Sequence, residues 1–302
     1  MKNKRLLSSI LLVLAAIIWG FAFVAQKVGM EFIGPFLFNG IRFIMGSLIL
    51  IPVVISLKSN QNKSNLTNNK KNLYFGILLG IILFLASSAQ QIGMVSTTAG
   101  NAGFITGLYV IFVPIFGIML KQFVPKVIWP AASLAIAGFY LLSVKKDFTI
   151  SDGDIWVFLS AILWAIHVLL IGHLTKQINP ITLALQQFLV CGTLSFFTAF
   201  LFEEINFNSI ILAWIPLLYG GILSVGVAFT LQVVGQKHVH PSSASLILSA
   251  ESLFAAIGGW LLLNEQMSLR AIFGCALILT GIILVQVYQH YSYKKLSLKK
   301  LI

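Results

Sequence analysis

The chain has 302 residues, 58% hydrophobic and 9% charged, with a mean hydropathy of +0.96; a soluble domain carries about 25% charged residues, so a water-soluble globule is excluded. A membrane-crossing helix needs roughly 20 apolar residues and a short connection, so this length holds about ten helices and leaves no room for a soluble catalytic domain. The net charge of +12 comes from 20 Lys and Arg against 8 Asp and Glu. In a soluble protein that excess would suggest nucleic acid, whereas here its distribution among the loops decides its meaning.

Apolar runs cover residues 6–26, 34–57, 73–94, 99–120, 127–144, 155–174, 181–202, 210–233, 243–263 and 269–289. Gly, Pro and Asn punctuate their edges, and the longest polar stretch, Lys58 to Asn72, reads as a solvated connection. Its Asn-x-Ser/Thr triplets at Asn62 and Asn65 read as accidental. The first run, after Lys2, Lys4 and Arg5, has the outline of a signal peptide, but it lacks a small-x-small cleavage site. Cys191 and Cys275 both fall within apolar runs, where a thiol behaves as a small hydrophobe and says nothing of redox compartment.

With the first residues placed in the cytoplasm, fifteen of the 20 basic residues fall in cytoplasmic segments and four in outer loops (Lys27, Lys145, Lys146, Arg270), while Arg42 lies inside the second run. That asymmetry is what the positive-inside rule gives for ten crossings with both termini cytoplasmic.

The sequence also repeats itself. At an offset of 145, residues 14–43 lie over 159–188, pairing Trp19 with Trp164, Pro35 with Pro180 and Phe43 with Phe188. At an offset of 142, residues 90–124 lie over 232–266, pairing Gln90 with Gln232, Gly93 with Gly235, Ile105 with Ile247 and Gly117 with Gly259. Two gapless registers of nearly equal offset read as duplication of a five-helix unit. Because five is odd, the second copy enters the membrane inverted, an arrangement of secondary transporters that alternate access around a midplane site. The expected fold is an all-α integral membrane protein of ten transmembrane helices in two inverted five-helix repeats, 6–144 and 155–289, with a basic cytoplasmic tail at 290–302.

Particular runs carry a family likeness. They are Trp19-Gly20-Phe21-Ala22-Phe23, Pro35 followed by Arg42-Phe43, the segment Thr98 to Tyr109 leading to Pro114, Pro241 to Glu251, Gly259 to Glu265, and Gly274 with Gly281. Together they resemble the ten-helix EamA type of the drug/metabolite transporter superfamily over nearly the whole chain. The resemblance implies small-metabolite transport, often export, in prokaryotic plasma membranes. Ser252 stands where many members have Pro after the glutamate, and Phe123 is the first-repeat counterpart of Glu265, which leaves subgroup and coupling open.

A transport site needs polar groups at mid-membrane depth, where their cost marks them as functional candidates. Arg42 lies about 12 Å from the outer end of its run and Glu251 about 12 Å from the inner end of its own. In a core about 30 Å thick their depths differ by about 6 Å, so a permanent salt bridge and a role in substrate or proton handling are both open. Gly100, Gly103 and Gly107 form a stripe that the repeat maps onto Ser242, Ser245 and Ser249; close helix packing is one reading and a hydroxyl-lined cavity wall the other. The neighbouring face, Asn101, Ile105 and Tyr109 over Ser243, Ile247 and Glu251, is expected to line the cavity. Gln90, Gln91, Gln232, Gln186, Gln187 and His167 add polarity, and Trp19, Trp164 and Tyr109 can form an aromatic wall.

The expected function is secondary transport of a small organic metabolite, an amino acid or related amphiphile, with protons as a candidate coupling ion at Glu251. The expected partners are the bilayer and a small solute, without nucleic acid, cofactor or metal. A channel or metal-ion permease is the rival. An intramembrane enzyme is a weaker one, because His238 with His240 lacks a third ligand, Glu203 and Glu204 sit together in a loop, and neither Gly-x-Ser-x-Gly nor His-Glu-x-x-His occurs.

Overall fold

A computed structural model describes residues 2–59, 69–143, 151–264 and 266–299. The triplets at Asn62 and Asn65, the outer-loop Lys145 and Lys146, and Glu265 lie outside the described residues. Regular structure among the described residues is helical, in the order α1 (Lys2–Gly29), α2 (Pro35–Ser59), α3 (Asn69–Ser96), α4 (Ala99–Gly107), α5 (Tyr109–Met119), α6 (Ile128–Ser143), α7 (Asp152–Leu174), α8 (Pro180–Phe202), α9 (Phe207–Leu212), α10 (Trp214–Leu218), a π-helical segment (Tyr219–Phe229), α11 (Thr230–Gln236), α12 (Pro241–Leu248), α13 (Glu251–Leu262) and α14 (Leu269–Lys299). Among the described residues nine helical stretches are long and apolar enough to cross a membrane, and Ile128–Leu141 is a shorter apolar helix.

Three boundaries differ from the sequence reading. Asn69 to Asn72, expected in the polar connection, begin α3, and the tail beyond residue 289 continues α14 as helix as far as Lys299. The run at 210–233, expected as one plain helix, is broken after α9 and contains the π-helical segment. The leading run behaves as an integral helix: Leu12, Ala15 and Ala16 are wholly buried, and α1 packs against α11, α13 and the π segment.

Glycine contacts show how the halves are related. Gly93 of α3 presses on α7, where a Cβ would meet Gly153 O at 2.6 Å and Val157 Cγ2 at 2.5 Å; Gly235 of α11 presses on α1, where it would meet Ser8 O and Leu12 Cγ at 3.0 Å. These are the same contacts displaced by the repeat offsets. At the crossing of α6 and α14, a Cβ on Gly138 would meet Gly274 O at 2.5 Å and one on Gly281 would meet Ala131 O at 2.6 Å, two equivalent contacts around one axis. Small residues permit this approach of backbones, which is how helices associate in lipid.

The direction of the axis follows from hydrogen bonds at the end of α3. Lys27, in the last turn of α1, donates to Met94 O and Val95 O at 3.1 and 3.2 Å, and Thr97 donates to Asp154, in the first turn of α7, at 2.5 Å. The end of α1 and the start of its counterpart α7 therefore meet the same end of α3, and the equivalent helices run antiparallel.

Capping is solved differently in the two halves. Asn179 Oδ1 accepts from Ile181 N and Thr182 N at the start of α8, a local N-cap. At the start of α2 the corresponding residue is Gly34, and the Glu203 carboxylate at the far end of α8 accepts from Phe36 N and Leu37 N, both at 2.8 Å. A side chain at Gly34 would displace that carboxylate, its Cβ falling 2.3 Å from Glu203 Cδ.

Candidate functional site

Two helices break at equivalent places. The helix beginning at Ala99 breaks at Leu108 (φ −61°, ψ −15°) and the one beginning at Pro241 breaks at Ser249 and Ala250 (Ala250 φ −58°, ψ −16°). Tight i to i−3 bonds close the breaks: Leu108 N to Ile105 O at 3.1 Å, Ile111 N to Leu108 O at 3.0 Å, and Ala250 N to Ile247 O at 3.2 Å. In such a turn residues three apart eclipse, so Thr106 aligns with Tyr109 and Leu248 with Glu251. All four line a central cavity.

Around it stand Trp19, Phe23 and Gln26 of α1, Arg42 of α2, Gln90 of α3, Trp164 and Val168 of α7, Ser224 and Phe229 of the π segment, and Gln232 of α11. Ten of the fourteen lining residues form five repeat-related pairs: Trp19 with Trp164, Phe23 with Val168, Gln90 with Gln232, Thr106 with Leu248, and Tyr109 with Glu251. The cavity thus straddles the boundary between the halves. The cavity volume is about 40 Å³, where a single water needs roughly 10–15 Å³, so it holds a few waters and must widen to take an amphiphile.

Arg42 and Glu251 share this cavity without an ion pair. Arg42 Nε donates to Asn39 Oδ1 at 2.9 Å, and its guanidinium lies 5.6 Å from the Phe38 ring centroid and 5.0 Å from that of Phe43. Glu251 stands beside Tyr109 and the two side chains interact, but Glu251 Oε1 and Tyr109 Oη make no well-aligned hydrogen bond. The permanent salt bridge is thereby corrected: each charge is held by its own neighbours and opens into the same space. Gln26 Oε1, Gln232 Oε1 and Trp164 Nε1 are likewise buried without partners. Each such group costs about 1–3 kcal/mol, and five of them converge on one cavity.

Phe229 stands between the two tryptophans, its centroid 4.6 Å from Trp19 and 5.8 Å from Trp164. Trp19 Nε1 donates to Ser224 O at 3.2 Å, and Tyr219 Oη donates to Ile18 O at 2.9 Å. The π segment disturbs the regular carbonyl ladder and offers Trp19 an acceptor. Trp164 faces the half whose equivalent helix, α3, is regular, and finds none.

Seven of the nine candidate residues line the cavity: Glu251, Arg42, Tyr109, Trp19, Trp164, Gln90 and Gln232. Gln90 Nε2 donates to Thr106 Oγ1 at 3.1 Å. Two do not. Asn101 sits in the first turn of α4, where its backbone N–H is taken by Thr98 Oγ1, and the tight turn at Leu108 rotates it, with Ile105, away from the Tyr109 direction. His167 is fully buried behind Trp164 (centroids 5.5 Å), with Nε2 2.8 Å from Gln187 Oε1. Ser243 and Ile247 are also absent from the lining.

The small-residue stripe stays outside the cavity as well. Gly103 and Gly107 take close contact with Ala255, Ser252 and Phe139, and Ser252 Oγ donates to Gly103 O at 2.5 Å. Ser245 and Ser249 return their hydroxyls to Ser242 O and Leu246 O, so these positions are packing faces; Gly100 and Ser242 likewise do not reach the lining. The sequence reading missed Phe23, Gln26, Thr106, Val168, Ser224, Phe229 and Leu248. Phe23 and Val168 follow Trp19 and Trp164 by one helical turn, a usable signal; Phe229 has Ser87 as its repeat counterpart and therefore gave none.

Known proteins place this architecture. The sequence model of the EamA-like transporter family matches residues 6–144 and 151–287. An uncharacterized transporter of Archaeoglobus fulgidus is 34% identical over 287 residues, covering 93% of this chain and 86% of its own. The uncharacterized transporter YoaV of Bacillus subtilis is 26% identical over 281 residues, covering 88% and 92%. A protein of known crystal structure superposes with a TM-score of 0.76 over 94% of this chain and 98% of its own, at 17% identity, a likeness of fold alone. With the family match spanning both halves and the cavity between them, this chain is a multi-pass membrane protein that belongs to the EamA-like transporter family.

Proposed function

We propose that the chain is a secondary transporter that exports a small organic metabolite, an amino acid or related amphiphile, across the plasma membrane by rocking its two repeats about the central cavity. In this reading α6 completes ten crossings, the repeats are related by an axis in the membrane plane, and both termini are cytoplasmic. The observation that carries it is the convergence of a guanidinium and a carboxylate that do not pair with each other, together with unpartnered polar atoms, on one cavity between the halves. Arg42 suits a solute carboxylate. Glu251 with Tyr109 suits an ammonium group or a proton, and Trp19, Trp164 and Phe229 suit the solute's apolar body. The helix breaks beside Tyr109 and Glu251 resemble the discontinuous helices on which transporter sites are built.

Purified protein in liposomes under an imposed pH gradient tests this. Saturable amino-acid flux that follows the gradient, and that loses its gradient dependence in Glu251→Gln, is expected. Flux indifferent to the gradient with full activity in Glu251→Gln would remove Glu251 from coupling, and unitary conductance in planar bilayers would replace the transporter with a channel.

A further inference from the structure

Away from the cavity, one end of the bundle gathers cations from three separate segments. The start of α1 brings Lys4 and Arg5, the α7–α8 connection brings Lys176, and the α11–α12 connection brings Lys237, His238 and His240. Backbone packing fixes the convergence: Gly235 of α11 rests on Ser8 O and Leu12 of α1, and a Cβ at Gly172 of α7 would meet Pro241 Cγ at 2.6 Å. The groups feel one another. His238 is held below its ordinary value by burial and by Lys237, Lys4 and Arg5, and His240 by burial and by Lys176 and Arg5.

The described acids lie elsewhere, with Glu31, Asp152, Asp154, Glu203 and Glu204 at the opposite end and Glu251 in the cavity. The opposite end is tied by Thr97 with Asp154 and by Lys27 with the end of α3, whereas this end gathers like charges that bear on one another. Lys4, Lys176, Lys237 and His238 are exposed, and they flank apolar spans beginning or ending within a few residues, which puts them at the depth of lipid headgroups. Basic pockets between membrane helices suit anionic headgroups.

We infer that this cluster binds the phosphate of an anionic phospholipid in the adjoining leaflet, with Lys176 and Lys237 as its principal ligands. Because Lys4 and Arg5 stand on α1 and the others on connections of the second half, a headgroup held by the cluster links segments from both halves at this end of the bundle.

The test uses the full chain purified in neutral detergent, with phosphatidylglycerol binding followed by native mass spectrometry. Lys176→Gln with Lys237→Gln should weaken binding about 30-fold, two losses of roughly five-fold at the strength of a lysine near an anionic surface. Lys70→Gln with Lys126→Gln removes equal charge at the same end, outside the cluster, and should weaken it less than three-fold. Equal losses in the two variants would reduce the effect to diffuse attraction and overturn the site, as would phosphatidylcholine binding as tightly as phosphatidylglycerol. Inorganic phosphate displacing the lipid at millimolar concentration would reassign the site to a soluble anion. Both variants replace exposed lysines, and monodisperse elution checks their folding.

Discussion

Around the cavity the two halves place different chemistry on equivalent backbone. The first half contributes Arg42 where the second has Gln187, Tyr109 where the second has Glu251, and Thr106 where the second has Leu248. The first half runs its third helix as regular α-helix, while the second distorts the matching stretch into the π segment that offers Ser224 O to Trp19. Packing contacts between helices repeat in the two halves down to the glycine: Gly93 against α7 repeats as Gly235 against α1. Duplication therefore maintains these close helix contacts, together with the paired Trp and Gln of the cavity, while Arg42, Thr106 and Tyr109 have diverged from their counterparts Gln187, Leu248 and Glu251. A symmetric cavity would present two cations, two acids or none, whereas this one presents a cation from one half and an acid from the other and so distinguishes the two ends of a polar solute.

The comparison breaks most severely if the asymmetry is erased. Arg42→Gln installs the second half's residue, and losing a buried charge contact costs about 2–5 kcal/mol, so kcat/KM in proteoliposomes should fall about 100-fold; a loss under three-fold would take Arg42 out of solute recognition. Because Arg42 and Glu251 are not paired, the stability changes of Arg42→Gln and Glu251→Gln should add to within about 0.5 kcal/mol, measured as thermal unfolding of the purified protein. A coupling well above that would restore the salt bridge.

The symmetric part of the comparison is sharpened at the crossing of α6 and α14. Gly138→Ala and Gly281→Ala each force a Cβ against a backbone carbonyl, an overpacking worth about 1–3 kcal/mol, and their losses of thermal stability should be alike. Gly117→Ala, whose Cβ would have its nearest neighbour at 3.6 Å, should be close to neutral. A smaller effect separates the tryptophans. Trp19→Phe forfeits a hydrogen bond and Trp164→Phe none, so the first should be less stable than the second by about 1 kcal/mol. The smallest concerns the ends of the broken helices, where Lys121 (φ 58°) and Asn264 (φ 53°) adopt left-handed backbone. Asn tolerates that region and Lys does not, so Lys121→Gly should gain about 0.5–1 kcal/mol.

Much of the fold was legible because lipid imposes few solutions: apolar runs of helical length must be helices, and the spacing of Trp19 and Trp164 exposed the duplication. Seven of the candidate polar residues reach the cavity because a polar group inside an apolar run must face protein. Asn101 and His167 carry the same signal and stand elsewhere, His167 with its Nε2 against Gln187 Oε1 beside Trp164. Burial of a polar residue in the membrane identifies it as inward-facing without saying which inward surface it joins.

What the sequence determined by itself is the solvent, the helices and the twofold relation between the halves, since hydropathy and an offset near 145 residues are properties of the chain read in one dimension. The tertiary structure decided the rest. Whether Arg42 meets Glu251 depends on where α2 and α13 stand, and which face of the broken helices turns inward depends on the tight turns at Leu108 and Ala250. Phe229 reaches the centre because α11 and the π segment carry it between two tryptophans from different halves. These are matters of a few ångströms and some tens of degrees of rotation, set by side chains packing across helices distant in sequence, and no local pattern in the chain encodes them.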